Sequence, residues 1–115
     1  MQSRFMRYPN GKARAVTFSY DDGVKQDVRL IELFDKYGLK ATFNLNSERT
    51  HLENMVSSEE IAKVYKNHEV AVHTLTHPYL NKIDSDEEII REVEQDRINL
   101  EKIVGYKVSG MAYPY

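Results

Sequence analysis

The sequence predicts an α/β fold with parallel strands, built from repeated strand–helix units. Short apolar segments that alternate large and small residues are followed, three times, by segments whose apolar residues recur at helical spacing. This alternation indicates right-handed βαβ units and a parallel sheet. An aspartate pair and a histidine pair each follow an apolar strand, and parallel α/β folds bind ligands at that end of the strands.

Composition is that of one small globular domain. The 115 residues are 41% hydrophobic and 30% charged, and the formal net charge of −2 gives no reason to expect nucleic acid or an anionic membrane as partner. No cysteine is present, so disulfides and thiolate metal sites are excluded. No run approaches the roughly 18 apolar residues of a membrane span. The first 14 residues lack the apolar core of a secretory signal, so we expect a cytoplasmic protein or a chain without its flanks.

The polar residues 1–12 are expected to form an N-terminal extension with a turn at Pro9-Asn10-Gly11, and the domain proper is expected over 13–115. The first strand is predicted at 13–20, with its large residues packed under helices. These large residues are Val16, Phe18 and Tyr20.

The first helix is predicted over 27–37, with Asp27 as its cap and Gly38 as its end. A strand at 40–46 and a polar loop at 47–56 follow. The remaining elements are a helix opened by a capping box at Ser57–Glu60, a strand at 69–73, a long helix opened by a second box at Ser85–Glu88 and ended by Gly105, and a fourth strand at 106–112.

Four parallel strands do not make a complete fold. An open sheet of four would leave edges and faces uncovered, and a closed (β/α) barrel takes about 200 residues or more. We therefore expect the N-terminal half of a larger domain, or a chain that self-associates through its incomplete barrel.

The candidate chemistry lies in Asp21-Asp22 and in His73 with His77. Two adjacent ionised carboxylates raise each other's pKa, so such a pair is usually given a cation or divided between two roles. Two histidines and one carboxylate match a metal site with open positions, and the second carboxylate is then free to act as a base. Zinc is the default metal, and iron(II) or another divalent ion also suits this donor set.

Each cluster also has a purely structural interpretation. Asp-Asp-Gly is common turn chemistry, and two histidines can hydrogen-bond within a loop without a metal. The other histidines, His51 and His68, are interpreted as surface residues. Asp96-Arg97 interrupts the apolar stripe of the long helix, and we interpret it as an ion pair or as side chains that reach out to solvent.

Three segments together resemble the polysaccharide deacetylases (the NodB homology domain, carbohydrate esterase family 4). Thr17-Phe18-Ser19-Tyr20-Asp21-Asp22-Gly23 resembles their first motif. His73-Thr74-Leu75-Thr76-His77-Pro78 resembles the second, and Ala112-Tyr113-Pro114-Tyr115 is similar to the third. The resemblance runs from about residue 13 to the last residue.

The resemblance implies a partial, distorted (β/α) barrel and metal-dependent removal of N- or O-acetyl groups from an acetylated carbohydrate. It implies that Asp22, His73 and His77 hold a divalent metal, most often Zn²⁺, with Co²⁺, Ni²⁺ or Fe²⁺ as alternatives. Asp21 would be the general base, and the backbone N–H of Tyr115 would stabilise an oxyanion. Thr74 would steady the second-motif loop by a hydrogen bond, with Pro114 as a further supporting residue.

Two departures from the family pattern affect the expected activity. The third motif commonly has an arginine that orients the base, and this chain has Ala112. The last two family motifs, which supply a histidine acid and the acetyl pocket, belong to the second half of the domain and are not found in these 115 residues.

Three alternatives follow. The chain could be a C–N hydrolase of the same fold that acts on a non-sugar amide. It could be a non-catalytic remnant that binds a metal or a carbohydrate. It could be an α/β domain whose Asp and His side chains only cap loops.

Overall fold

The computed structural model describes residues 6–115, which form a three-stranded parallel sheet with helices packed against it, in the strand order β1-β2-β3. This confirms the predicted α/β class. The helices and strands are β1 (Ser19–Asp22), α1 (Gln26–Tyr37), β2 (Thr42–Leu45), α2 (Ser58–Val64), β3 (Glu69–Val72) and α3 (Asp86–Val104). Short 3₁₀ turns lie at Pro9–Gly11, Ser47–Arg49 and Leu80–Lys82.

Residues 1–5 of the predicted N-terminal extension lie outside the described part of the chain. The turn predicted after them forms at Pro9–Gly11, where Asn10 and Gly11 have φ angles of 60° and 70°. Asparagine and glycine tolerate this left-handed conformation better than other residues.

The first strand is shorter than predicted and begins six residues later. Its ladder starts where the Thr42 N–H donates to the Phe18 carbonyl at 2.9 Å, because β2 itself begins at Thr42. Without a neighbouring strand to pair with, the preceding segment is irregular and Val16 is 76% exposed, so its predicted packing under helices is wrong. Phe18 does pack inward, with its ring 5.0 Å from that of Phe34.

The first helix confirms its predicted end but not its predicted cap. Gly38 adopts a φ of 66° and donates its N–H back to Asp35 and Phe34, as expected for a helix C-terminus. Asp27 lies inside the first turn rather than at the cap. Its buried carboxylate instead accepts a 2.8 Å hydrogen bond from the Tyr65 hydroxyl, and burial raises the pKa of this carboxyl.

One hydrophobic core joins the sheet to all three helices. Phe43 at its centre is fully buried, and its ring centroid lies 4.9 Å from that of Tyr65. Each large apolar side chain buried here contributes roughly 1.5–3 kcal/mol of transfer free energy. The buried cluster comprises Ile31, Phe34, Ala41, Phe43, Leu45, Val56, Ile61, Tyr65, Val70, Val72, Leu100 and Val108.

The two predicted capping boxes form to different extents. At α2, the Glu60 carboxylate accepts from the Ser57 N–H at 3.3 Å and from its hydroxyl at 2.8 Å. At α3, the Ser85 hydroxyl oxygen accepts from the Glu88 N–H, but it donates to Glu87, so only half of the second box is present.

The predicted fourth strand at 106–112 is reduced to a single bridge beside β3. The Val72 N–H donates to the Gly110 carbonyl and the Ala112 N–H donates to the Val72 carbonyl, both at 2.9 Å. Before this point the chain is held against α3, because the Val108 N–H donates to the Glu101 carboxylate. The segment therefore contacts β3 only at residues 110–112, and the rest of it forms no strand pairing with the described part of the chain.

The interpretation of His68 as a surface residue is wrong. Its side chain is buried, its Nδ1 accepts from the Ala41 N–H at 3.2 Å, and its Nε2 lies 3.0 Å from Asp35. His51 is exposed, as expected. Among the described residues, no helix is both long and apolar enough to cross a membrane.

Candidate metal centre

The predicted site residues lie at the carboxyl edge of the sheet. Asp22 is the last residue of β1, Asn46 follows β2 directly and His73 follows β3 directly. The register pairs Asp22 with Leu45 and Leu45 with Val72, so the three strands end at the same level. This shared edge brings residues together that are up to 51 positions apart in the sequence.

Asp22, His73 and His77 converge on one point. One ligand atom from each lies within 4.8 Å of the others. Oδ1 of Asp22 is 3.7 Å from Nε2 of His73 and 3.2 Å from Nε2 of His77. Ligands of one tetrahedral zinc ion, at about 2.0–2.2 Å from it, are themselves roughly 3.3–3.6 Å apart. The two distances from Asp22 to the histidines are therefore close to those between ligands of one shared metal ion.

The imidazole of His73 is held in one orientation by the third segment. Its Nδ1 lies 3.0 Å from the carbonyl oxygen of Ala112, which can only accept a hydrogen bond. Nδ1 therefore carries a proton and donates it to this carbonyl, and the neutral tautomer with that proton has its lone pair on Nε2, the nitrogen that faces Asp22. This is the tautomer that a metal ligand needs.

Asp22 fits a cation on its own chemistry. Its Oδ1 is buried and accepts no hydrogen bond from the described residues. Arg49 approaches this oxygen at 3.6 Å, which is an ion-pair distance. A buried carboxylate oxygen without a hydrogen-bond donor is costly, and a bound cation would remove that cost.

The backbone around the site is strained. Asp22, Thr74 and His77 have φ angles of 75°, 70° and 64°, in the left-handed region that non-glycine residues rarely adopt. Such conformations cost of the order of 1–3 kcal/mol each and persist where the surrounding structure enforces them. They aim the side chains of two candidate ligands at the shared point.

Asp21 has different surroundings from its neighbour. Its strand partner in the register is Asn44, whose Nδ2 donates to Oδ1 of Asp21 at 2.8 Å. Asn44 is buried and also contacts the Ser19 hydroxyl at 2.9 Å, so its amide has a fixed direction. Asp21 itself is exposed. The two adjacent carboxylates are thus separated into an oriented, solvent-facing one and a histidine-facing one.

Thr74 does not make the hydrogen bond expected of it. Its hydroxyl is buried and finds no partner among the residues described. The loop is steadied instead by Asn46, whose Nδ2 donates to the carbonyls of His73 at 2.6 Å and of Thr74 at 2.8 Å. The backbone carbonyls of the loop, rather than the threonine hydroxyl, take the supporting hydrogen bonds.

The third segment lies beside the histidines. Pro114 is buried, and Tyr115 is exposed with a φ of 66°. The Tyr115 ring lies edge-on to His77 at 4.7 Å and is stacked on Tyr79 at 3.7 Å. The ring contacts place this residue next to the candidate metal site.

Two buried carboxylates on α3 were not identified from the sequence. Asp96 is fully buried, accepts from the N–H groups of Ser47 and His73, and has no ion-pair partner among the described residues, so its interpretation as part of an ion pair or as a side chain that reaches solvent is wrong. Burial, together with the nearby charge of Glu92, raises the pKa of Asp96 to about 7 against the lowering effect of those hydrogen bonds. Arg97 does form ion pairs, with Glu94 and Glu101. The available signal was the position of Asp96 within an otherwise apolar stripe.

A sequence model of one protein family, described as polysaccharide deacetylase, matches residues 7–115. No curated protein matches significantly.

Solved structures match this chain in fold over most of its length. The deacetylase PplD of Streptococcus pyogenes, in complex with acetate, has a TM-score of 0.83 at 22% identity over 92% of this chain and 47% of its own. A polysaccharide deacetylase of Bacillus cereus has a TM-score of 0.80 at 26% identity, over 91% of this chain and 34% of its own. The peptidoglycan deacetylase PdaC of Bacillus subtilis has a TM-score of 0.72 at 26% identity, over 90% and 50%. The chain thus spans between a third and a half of each of these structures.

Proposed function

The chain belongs to the polysaccharide deacetylase family, and from that membership we propose that it is the N-terminal part of a metal-dependent hydrolase that removes acetyl groups from an acetylated carbohydrate. The observation that carries the proposal is the convergence of Asp22, His73 and His77 within 4.8 Å. Two imidazoles and one carboxylate, whose buried oxygen accepts no hydrogen bond from the described residues, are a donor set for a divalent cation.

Asp22, His73 and His77 would hold the metal, for which Zn²⁺ is the first choice and Co²⁺, Ni²⁺ or Fe²⁺ are alternatives. A divalent cation at such a site polarises an acyl carbonyl and makes water a better nucleophile near neutral pH. The protein's contribution is to fix the orientation of these ligand side chains. The backbone carbonyl of Ala112 orients the His73 ring, and the left-handed backbone conformation orients the side chains of Asp22 and His77.

Asp21 is the proposed general base. The amide of Asn44 holds its Oδ1, so its Oδ2 is left to take the proton of the attacking water. Asp21 is exposed, so water can reach its carboxylate. The neutral amide takes the positioning role that the family resemblance assigns to an arginine at position 112.

The backbone N–H of Tyr115 is the proposed donor to the oxyanion. An N–H group aimed at the developing charge stabilises the transition state more than the ground state. The stack of Tyr115 on Tyr79 and its edge contact with His77 fix this residue beside the metal ligands.

The proposed substrate class follows from the family and from one neighbour, which is named as a peptidoglycan deacetylase. We propose that the acid that protonates the leaving group comes from outside these 115 residues. This is supported by the share of the related structures that the chain spans, 34–50%. Within the chain, the strand edge supplies the metal ligands and the base.

The test has a binding arm and a turnover arm. Zn²⁺ titration of the metal-free chain, followed with a competing chromophoric chelator, should give one ion per chain. Asp22→Ala and His77→Ala should each weaken Zn²⁺ binding at least 100-fold, because each removes one of three protein ligands. His51→Ala, which removes an exposed histidine, is the matched control and should bind as the wild type does.

Turnover is measured with the part of the protein that supplies the acid present, as acetate released from N-acetylated glycan oligomers and, in parallel, from small acetylated amides. Release from the glycans, abolished by Asp21→Ala without loss of Zn²⁺ binding, supports the proposal. Release from the small amides alone would point to the non-sugar hydrolase. Equal Zn²⁺ affinity of the wild type and the two ligand variants would contradict the metal site itself.

A further inference from the structure

The loop that joins the two candidate histidine ligands is held from behind by two buried acids of α3. Asp96 and Glu92 lie one helical turn apart, at 0% and 3% exposure. The spacing of four residues puts them on one helix face. Neither belongs to the three segments that resemble the family motifs, and neither contributes to the candidate ligand cluster.

Asp96 bridges the strand ends of the site. Its Oδ1 accepts from the Ser47 N–H at 2.7 Å, just beyond β2. Its Oδ2 accepts from the His73 N–H at 3.2 Å, a donor that it shares with the Leu45 carbonyl at 3.0 Å. One carboxylate thus spans two backbone amides that lie just beyond the ends of neighbouring strands, and both of its oxygens face N–H groups.

Glu92 holds the far side of the loop. Its Oε2 accepts from the Thr76 N–H at 3.0 Å and its Oε1 from the Thr76 hydroxyl at 2.9 Å. Its own carbonyl accepts from the Leu75 N–H at 2.9 Å. The residue directly before His77 is therefore fixed by two side-chain hydrogen bonds and its predecessor by a third bond.

We propose that Asp96 and Glu92 are positioning residues that hold the His73–His77 loop in its ligating conformation before a metal binds. The proposal rests on the metal site proposed above. The loop contains two left-handed residues, Thr74 and His77, whose strain needs an external restraint. Asn46 restrains its carbonyls, and the two acids restrain its N–H groups. Outer groups of this kind typically change metal affinity by roughly 10–100-fold when they are lost.

Two isosteric substitutions separate positioning from simple charge. Asp96→Asn leaves one oxygen, so in either amide orientation an NH₂ group faces a backbone N–H and the loop must shift. Glu92→Gln keeps both contacts, because its oxygen can accept from the Thr76 N–H while its amide donates to the Thr76 hydroxyl. Both variants replace an ionisable carboxyl with a neutral amide. The matched control is Glu94→Gln, on the solvent side of α3, where Glu94 contacts Arg97.

Zn²⁺ affinity is measured by competition with a chromophoric chelator, and each variant is first checked for a cooperative melt without metal. We expect Asp96→Asn to weaken binding at least 10-fold, and Glu92→Gln and Glu94→Gln to change it less than 3-fold. Equal weakening by Asp96→Asn and Glu92→Gln would overturn the proposal, because charge alone would then explain the effect. Unchanged affinity in Asp96→Asn would also overturn it.

A measurement on the wild type covers the case in which Asp96→Asn does not fold. Amide hydrogen exchange of the chelator-treated chain should show strong protection at Ser47, His73 and Thr76, with little further change on adding Zn²⁺. Rapid exchange at Ser47 and Thr76 in the metal-free chain would refute the proposal. This readout is independent of whether the chain binds Zn²⁺, so a failed metal site and a failed restraint are distinguishable.

Discussion

At Gly23, directly after the Asp21-Asp22 pair, a side chain would destabilise the fold in two ways, through backbone strain and through a steric clash. Its φ is +73°, and a Cβ built on it would lie 2.8 Å from Cδ2 of Leu45 and 3.6 Å from the Tyr65 hydroxyl. The left-handed backbone costs an alanine about 1 kcal/mol more than a glycine. Because Leu45 is buried, its displacement adds an overpacking cost of about 1–3 kcal/mol. Gly23→Ala should therefore lower the free energy of unfolding by about 2–4 kcal/mol.

Gly38→Ala is the matched control. Its φ of +66° is close to that of Gly23, but nothing lies within 4 Å of the added Cβ. This variant should lose only about 1 kcal/mol, measured like the first by urea denaturation of the metal-free protein. The Gly23 variant should also bind Zn²⁺ more weakly, since the shift reaches Asp22, whereas the Gly38 variant should not. Equal losses of stability in the two variants would refute the steric argument.

Three further predictions concern Tyr65, Asp27 and Asn44. Tyr65→Phe should lower the free energy of unfolding by about 1–3 kcal/mol, because it leaves a buried carboxylate without its donor, whereas the exposed Tyr37→Phe should change little in urea melts. Because burial raises the pKa of Asp27 above its ordinary value of 3.8, the folded state binds this proton more tightly. Its contribution to stability is therefore lost as pH rises from about 4, so Asp27→Asn should gain stability relative to the wild type across a pH series of urea melts, and a constant difference would contradict this. Asn44→Leu should lower kcat about 10-fold or more in acetate-release assays, with KM and Zn²⁺ affinity unchanged, because it frees Asp21. A change in KM alone would argue against that role.

The sequence predicted the elements whose signals are local. Helical spacing and a terminal glycine located α1 and α3, and the order of strands and helices predicted the parallel sheet. The same order of strands and helices predicted that the candidate site lies at the carboxyl edge of the sheet, because parallel strands all end on that side. Prediction failed where the outcome depends on a distant partner. The first strand begins only where β2 offers Thr42 as a neighbour, and the fourth is held away by Glu101.

The burial of certain polar residues was the other feature that the sequence analysis predicted wrongly. Asp96 interrupts an apolar stripe, and a charged residue in that position is usually exposed. The two oxygens of its buried carboxylate accept hydrogen bonds from the backbone N–H groups of Ser47 and His73. These donors are distant in the sequence, so no local pattern predicts them. The same holds for His68, whose partners Ala41 and Asp35 are 27 and 33 residues away.

Ala112 illustrates how a missing side chain can leave a site intact. The contact that this position makes to the candidate metal ligand is through its backbone carbonyl, which accepts from Nδ1 of His73 and would be present with any side chain. What alanine lacks is the arginine side chain to which the family resemblance assigns the orienting of the base, and the Asp21 carboxylate is already held by Asn44 at 2.8 Å. An amide orients the carboxylate without adding positive charge; among the described residues, Arg49 is the cationic side chain at ion-pair distance from the neighbouring Asp22. The departure from the family pattern at position 112 therefore bears on how the proposed base is held, and the backbone contact to the candidate ligand His73 does not depend on it.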